Sequence, residues 1–303
     1  MGSISVTMFS DPACPWAYSI SPSLRVLEWR YGEQLGWRLV LIGLTEQASQ
    51  YVERGYTPLR GAQSQVRFRR YGMPFAPQPK KRVSATARAC RAVVAARLLQ
   101  PGSEWQVFRA LQLANFTTPL LLDDDAQIAE TLRQLPGLDA DAIDGRLDDQ
   151  SVSDAYERDK AEARTAAGSA AELQQKTAQT DGLVRFTAPS LVFERDGRRL
   201  IAGGFQPIEA YDVLVANLDP GLERRPAPDT PAPLLERFPH GLTTQEVAAL
   251  LAKGNDPADR HAAENALLEL HASGNATRTP LGDDALWQPA PAIPARPARS
   301  NRS

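Results

Sequence analysis

The sequence contains few residues of the kinds that build metal centres and disulfide frameworks. Among 303 residues there are two cysteines, Cys14 and Cys90, and three histidines. Two cysteines cannot form the several bridges that stabilise a small secreted domain, nor can they supply a cysteine-based zinc site. The histidines, His240, His261 and His271, lack the spacing of metal ligands. We therefore predict that the protein binds no metal.

The chain also lacks an excess of one charge and a long hydrophobic run. Its 34 Lys and Arg residues nearly balance 36 Asp and Glu residues, and the formal net charge is -2. Such a chain has no overall basic field that would attract nucleic acid. No segment approaches the roughly 20 apolar residues of a membrane span, and residues 1–10 do not resemble a signal peptide. These absences predict a soluble, cytoplasmic protein that does not contact a membrane.

Hydrophobic residues make up 43% of the sequence, which is enough to bury a sizeable core. Residues 4–9 and 37–42 are short apolar runs that predict buried strands. Between them, over 15–31, apolar residues recur at helical spacing. A strand, a helix and a strand with short connections predict a right-handed βαβ unit whose strands are parallel.

The order of the later elements predicts the fold class. Their composition and polar caps predict helices at 83–99, 104–115, 123–134, 139–149 and 154–176. Asp196-Gly197 then joins two apolar runs, as in a β-hairpin, and a further helix is predicted over 207–218. The order βαβ, helical insertion (about 46–178), ββα predicts an α/β, thioredoxin-like fold with an inserted helical domain over residues 1–218.

The remaining residues predict a smaller second domain. Residues 219–233 are rich in proline and charge, which is typical of a linker. Over 234–289, two helices, the first with a capping box at 243–246, and a hairpin resemble a winged helix-turn-helix. Residues 290–303 have the composition of a disordered tail.

The second helix of this domain, 259–271, does not have the charge expected of a helix that reads DNA. It carries Arg260, but also Glu264 and Glu269, so its net charge is not positive. Binding in a DNA groove needs Lys or Arg for phosphates and bases. We therefore favour contact with protein, or packing against the first domain, over DNA binding.

Cys14 lies where a predicted strand passes into a predicted helix, and Pro15 suits the first helical turn. The unpaired N–H groups at a helix start stabilise a thiolate, so we expect the pKa of Cys14 to lie below that of a free cysteine. Trp16 would cover apolar surface beside the sulfur. The alternative interpretation is that Cys14 is a small buried hydrophobic residue.

Residues 10–18 (SDPACPWAY) resemble the active-site segment of the DsbA-like branch of the thioredoxin superfamily. This branch includes FrnE-type dithiol oxidoreductases, 2-hydroxychromene-2-carboxylate isomerases and kappa-class glutathione transferases. The resemblance covers about residues 4–218. It extends to 71–77, 84–96, 187–193 and 203–211.

The resemblance implies a set of site residues. Catalytic positions map to Cys14, Pro15, Trp16, Ala17 and Pro189, the last of which corresponds to the family's cis-proline. Positions that would contact a substrate map to Asp11, Tyr18, Met73, Phe75 and Ala188. We expect Met73 and Phe75 to form an apolar lip over the site, with core packing as the alternative.

Ala17 departs from the dithiol members of the family, which have a second cysteine there. In a dithiol cycle the second thiol attacks the mixed disulfide and releases the product. Without it, Cys14 could act as a single thiol with an outside thiol such as glutathione, or could stabilise a bound thiol cofactor. The domain could also be a non-catalytic adaptor that binds protein. For Cys90, a buried helix cysteine is favoured over a resolving thiol.

The predicted partners follow from these alternatives. We expect a protein or a small-molecule thiol as the substrate and no tightly bound cofactor. Residues 67–81 are basic with interleaved aromatics, and could hold the carboxylates of a glutathione-like thiol; a solvated loop is the alternative. A DNA-binding regulator with a thiol sensor is the third hypothesis. The sequence does not predict the substrate or the oligomeric state.

Overall fold

The first elements form the predicted βαβ unit. In the computed structural model, which describes residues 3–254 and 256–291, they are β1 (Ile4–Ser10), α1 (Pro15–Ser19), α2 (Ser21–Tyr31) and β2 (Leu35–Leu41). The single helix predicted over 15–31 is therefore two helices. Pro22 has no N–H to donate to the Tyr18 carbonyl, so the helix is interrupted at Ile20.

A helical region follows, with one short strand pair at its end. Its helices are α3 (Ala48–Glu53), α4 (Pro58–Phe68), α5 (Ala87–Leu99), α6 (Ser103–Thr117), α7 (Asp125–Arg133), α8 (Ala140–Asp144), α9 (Gln150–Ala163) and α10 (Ala170–Leu173). The strands are β3 (Thr177–Ala178) and β4 (Arg185–Phe186). The single helix predicted over 154–176 is wrong: α9 ends at Ala163, and in the rest of that range only α10 is helical. There the Ala166 N–H donates to the Val184 carbonyl, and Gly168 adopts a φ of 72°.

The main sheet has the strand order of a thioredoxin fold. Its last elements are β5 (Ser190–Arg195), β6 (Arg198–Gly203) and α11 (Ile208–Leu218). The order is β2-β1-β5-β6, with β1 parallel to β2 and antiparallel to β5. The hairpin predicted at Asp196-Gly197 is confirmed, since both residues have positive φ and join paired strands. The fold-class prediction is thus confirmed.

Alternation along β1 divides the core between the two faces of this sheet. Val6 and Met8 belong to the larger cluster, which includes residues of α2, α5 and α11. Phe9 points to the opposite face and joins a smaller cluster with Cys14 and Ala17. The candidate site is therefore built on the second face, where the chain leaves β1.

The C-terminal region contains two helices and a hairpin in the predicted order. Its elements are α12 (Ala232–Arg237), β7 (Leu242–Thr243), α13 (Thr244–Leu251), α14 (Arg260–Ala272), β8 (Ala276–Leu281) and β9 (Asp284–Pro289). The strands form a separate sheet in the order β7-β9-β8. The linker at 219–233 and the winged-helix-like domain at 234–289 stay predictions. The predicted tail at 290–303 lies outside the described residues from 292 onward.

A buried ion pair joins this region to the thioredoxin-like part. The Glu246 side chain is fully buried, and the Arg109 guanidinium donates to both of its oxygens at 2.7 Å. The carboxylate also accepts from the Ser21 hydroxyl and from the Thr243 N–H, which completes the capping box of α13. Burial tends to raise the pKa of Glu246, but the contacts with Arg109 outweigh it and lower the pKa to about 2.

We predict that Glu246→Gln destabilises the protein by about 3–5 kcal/mol, because it leaves the Arg109 charge buried without its partner. The measurement is urea unfolding followed by circular dichroism. The matched control is Asp141→Asn, which breaks the exposed Arg133–Asp141 pair and should leave the free energy of unfolding almost unchanged, because solvent screens exposed pairs. Equal effects of the two substitutions would contradict the prediction.

The same pair predicts a dependence of stability on pH. The pKa of Glu246 is depressed in the folded state, from 4.5 to about 2. Its contribution is therefore present above pH 4.5 and is lost as the pH falls toward 2. Glu246→Gln should flatten this part of the curve of unfolding free energy against pH.

Candidate functional site around Cys14

Cys14 is the N-cap residue of α1, and Pro15 is the first residue of that helix. Its thiol donates a hydrogen bond to the Ala188 carbonyl oxygen, with a sulfur-to-oxygen distance of 3.0 Å. The Ala188-Pro189 peptide bond is cis, as predicted. The fold thus brings the Cys14 segment against residues 188–189, which directly precede β5.

The surroundings of Cys14 are apolar, and the residue is only 7% exposed. It packs in the cluster that contains Phe9, Phe186 and Val192. Burial raises the pKa of the Cys14 thiol to about 12, against the lowering effect of the Ala17 backbone N–H. The expectation of a lowered pKa is therefore wrong for this structure: loss of hydration outweighs the helix start.

Asp11 organises the turn that carries Cys14 and is not accessible to a substrate. Its buried carboxylate accepts from the backbone N–H groups of Ala13 and Leu44 and from the Thr86 hydroxyl, each at 2.9 Å. Burial raises the pKa of Asp11, although these hydrogen bonds oppose the rise. The assignment of Asp11 as a substrate contact is thus corrected to a structural role, because the residue is fully buried and both carboxylate oxygens accept hydrogen bonds from the protein.

Cys90 is fully buried in α5 and contacts Asp11. Its thiol donates to an Asp11 oxygen at 3.6 Å, and both cysteines are free. The structure therefore shows the buried helix cysteine that the sequence favours. Burial and the Asp11 charge raise the pKa of Cys90.

Trp16 is the exposed member of a group of aromatic side chains, which we call the aromatic rim. The Trp16 ring is 39% exposed and meets the rings of Phe68, Phe205 and Tyr71 at centroid distances of 4.8, 5.5 and 5.6 Å. These four residues come from three distant segments of the chain. The aromatic rim thus stands beside Cys14, where the sequence predicts Trp16 alone.

Tyr18, Met73 and Phe75 lie beneath the aromatic rim rather than on the surface. Each is at most 1% exposed, and they share a buried cluster. The Tyr18 hydroxyl donates to the Pro74 carbonyl at 2.8 Å. The prediction that Met73 and Phe75 form a lip, and that these three residues contact a substrate, is therefore wrong.

The C-terminal hairpin explains this burial. The Phe75 N–H donates to the Asp283 carboxylate at 2.7 Å, and the Asp283 N–H donates back to the Phe75 carbonyl at 3.0 Å. Gly282 has a φ of 57°, and a Cβ there would lie 2.8 Å from the Phe75 carbonyl. The turn between β8 and β9 therefore sits directly on the segment that carries Met73 and Phe75.

A cavity of about 650 Å³ opens beside Cys14. Cys14, Pro15 and Trp16 contribute to its wall, whereas Ala17, which is 1% exposed, and Pro189 do not. Ala188 is 8% exposed, and its carbonyl is occupied by the Cys14 thiol. The predicted catalytic segment thus borders a space that could hold a small molecule.

The cavity wall is basic. Among the described residues that line it, none is acidic, and the basic ones are Arg54, Arg60, Lys80 and Arg82. Tyr51 and Tyr56 add aromatic surface. Of the basic residues in the 67–81 segment, only Lys80 lines the cavity. Residues 51–60 were not predicted to belong to the site, although they carry the same alternation of aromatic and basic side chains as residues 67–81.

Two further properties bear on function. In residues 3–254 and 256–291, no group of three His, Cys, Asp or Glu side chains is placed to hold a metal ion. Within the same ranges, every helix is too short or too polar to cross a membrane.

Comparison with known proteins identifies relatives of this arrangement. The model of the DSBA-like thioredoxin domain family matches residues 5–167, more than half of the chain. A putative protein disulfide isomerase from Nitrosomonas europaea has a similar structure, with a TM-score of 0.55 and 17% identity over 71% of this chain and 97% of that one. Comparison with curated proteins gives no match.

Two other solved structures resemble the chain. A probable DsbA oxidoreductase from Streptomyces coelicolor gives a TM-score of 0.54 and 16% identity over 72% of this chain and 91% of that one. The cytosolic disulfide reductase DsbM from Pseudomonas aeruginosa gives a TM-score of 0.49 and 19% identity, over 71% and 98%. With identities of 17% and 16%, the TM-scores of 0.55 and 0.54 show that the Nitrosomonas and Streptomyces structures share the fold of this chain, and no more than the fold.

The raised pKa of Cys14 leads to a prediction for its alkylation. Because only the thiolate reacts, the iodoacetamide rate should rise about tenfold per pH unit from pH 6 to 9.5, without a plateau. The measurement is intact-mass spectrometry, with Cys14→Ser as the control, because it leaves only the buried Cys90. A plateau below pH 8.5 would instead support a thiolate stabilised by the helix start.

Proposed function

Because the chain belongs to the DSBA-like thioredoxin domain family, we propose that it is a thiol-disulfide oxidoreductase in which Cys14 acts as a single thiol together with a small thiol such as glutathione. One observation carries the proposal. The Cys14 sulfur lies at the start of α1, is hydrogen-bonded to the Ala188 carbonyl, and borders the basic cavity.

The first step would use a disulfide between glutathione and a substrate. Cys14 gives up its proton, and its sulfur attacks the glutathione sulfur of that disulfide. A bond between Cys14 and glutathione forms as the old sulfur–sulfur bond breaks. The substrate leaves as a thiolate and takes up a proton, so it is reduced while Cys14 is oxidised.

The second step would need a thiol from outside, because Ala17 stands where a resolving cysteine would be. A glutathione thiolate attacks the glutathione sulfur bound to Cys14 and forms oxidised glutathione. Cys14 leaves with the electron pair of the broken bond and regains a proton. Thiols of high pKa leave slowly, so the raised pKa of Cys14, about 12, favours a long-lived intermediate.

We predict that oxidised glutathione adds one glutathione to the wild-type protein and that intact-mass spectrometry detects it. Cys90→Ser should keep the adduct, because Cys90 is fully buried. Cys14→Ser should lose it. An adduct that survives in Cys14→Ser, or none on the wild type, would contradict the proposal.

A second substitution tests the role of Ala17. Ala17→Cys supplies a thiol in the same helical turn as Cys14, so it should displace the bound glutathione and form an intramolecular disulfide. The expected result is that the adduct is lost and that the mass of the variant is two hydrogens lower than that of its fully reduced form. A persistent adduct in Ala17→Cys would show that the absence of a second cysteine does not limit the release of glutathione from Cys14.

One observation favours the alternative, a non-catalytic adaptor that binds protein. Val52, Tyr56, Leu59 and Val66, on or next to α3 and α4, are each more than half exposed. An apolar surface beside the cavity suits a polypeptide partner. An adaptor would keep its cellular function in Cys14→Ser, whereas the proposed oxidoreductase would lose it.

We retain the winged-helix-like assignment of the C-terminal region as part of this proposal, with a role in protein contact rather than DNA binding. Arg260 pairs with Asp284 at 3.2 Å and donates to the Gly72 carbonyl. The single arginine of α14 thus makes its contacts within the protein. The relation to the FrnE-type branch and the cytoplasmic location stay predictions.

A further inference from the structure

Lys80 is a partly buried cation on the wall of the Cys14 cavity. Its ammonium group donates to the Asn115 side-chain oxygen and to the Leu120 carbonyl, both at 2.6 Å. An ammonium has three N–H donors, and in the described part of the chain the third has no acceptor. Both existing acceptors are neutral.

No carboxylate among the described residues lies within 4 Å of this ammonium group. The nearby Asp123 instead pairs with Arg82 at 2.8 Å and accepts from the Ala85 N–H at 2.9 Å. Arg54 and Arg60 add two more positive charges to the cavity wall. A partly buried charge without a partner is costly, so this side of the cavity favours an anion.

We infer that Lys80 binds a carboxylate of the small molecule that occupies the Cys14 cavity. The third N–H would donate to it in a charge-assisted hydrogen bond, and Arg82, which lines the same cavity, would add favourable charge. The volume, about 650 Å³, lies in the usual range for small-molecule sites. The inference rests on the proposed function only in taking that ligand to be a thiol of the glutathione type.

The test separates binding from thiol chemistry by using S-methylglutathione, which has carboxylates but no thiol. Isothermal titration calorimetry would compare wild type, Lys80→Met and Lys81→Met. We expect Lys80→Met to bind about tenfold more weakly, the loss of about 1.4 kcal/mol. Lys81→Met is the matched control, because Lys81 is exposed and does not line the cavity. Equal affinity in all three proteins, or no binding by the wild type, would overturn the inference.

A second probe identifies the ligand group. The diethyl ester of S-methylglutathione keeps its amino group but has no carboxylate, so it should bind both wild type and Lys80→Met with low affinity. An ester that binds wild type as well as the acid does would show that no carboxylate is recognised, and would overturn the inference.

A measurement on the wild type keeps the inference testable if Lys80→Met does not fold. Burial lowers the pKa of Lys80 to about 8, partly opposed by Asp123. The other charged groups around it are Arg82, Arg54 and Arg60. Lys80 binds the carboxylate when protonated, so affinity should fall about fivefold from pH 7 to 9, with proton uptake on binding near pH 8. Affinity and proton count that do not change over this range would overturn the inference.

The failure of this inference can be told apart from the failure of the proposed function. If Cys14 forms no mixed disulfide but S-methylglutathione binding still depends on Lys80, the thiol chemistry is wrong and the anion site stands. If Cys14 forms the adduct equally well in Lys80→Met and in wild type, and the S-methyl compound binds both alike, the oxidoreductase stands without the site.

Discussion

The loss of hydration around one sulfur atom, that of Cys14, decides the protonation state of the candidate site. A helix start favours the thiolate of Cys14, yet burial in an apolar cluster disfavours it by more. The resting group is therefore a thiol that donates to the Ala188 carbonyl. In the function that we propose, a disulfide that enters the cavity would have to replace this hydrogen bond and compensate for part of the solvation that the sulfur has lost. Reactivity thus depends on what fills the cavity as much as on Cys14.

The cavity and the aromatic rim depend in turn on the C-terminal region. The turn between β8 and β9 covers Phe75, and Thr243 contacts Met73. The buried pair of Arg109 and Glu246 holds α13 against α6. Phe75 and Met73, which lie beneath Trp16, are therefore held by Asp283 and Thr243. These two residues lie more than 160 positions further along the chain. The C-terminal region, which the sequence predicts to be a separate small domain, therefore supports the candidate site.

Short sequence patterns predict the structural features that depend only on neighbouring residues. The hairpin at Asp196-Gly197, the capping box of Thr243 and the helix start at Cys14 each follow from a few neighbouring residues. The resemblance to the family supplies the cis bond before Pro189. The burial of Met73 and Phe75 could not be predicted in this way, because distant residues cover them. For the same reason the sequence gives the wrong direction for the pKa of Cys14: the helix start is local, but desolvation is set by the whole cluster.

The close fit of Gly282 against the Phe75 backbone has a consequence for cooperativity. Because there is no space for even a methyl group between Gly282 and the Phe75 backbone, the turn packs directly on the 72–75 segment, and its separation would expose Met73 and Phe75 to water. Loosening of the hairpin would therefore also loosen the buried cluster that includes Phe68 and Phe116, two residues of the cavity wall. Heating, or proteolysis at the hairpin, would then change the surroundings of the Cys14 thiol, although the two are far apart in the sequence.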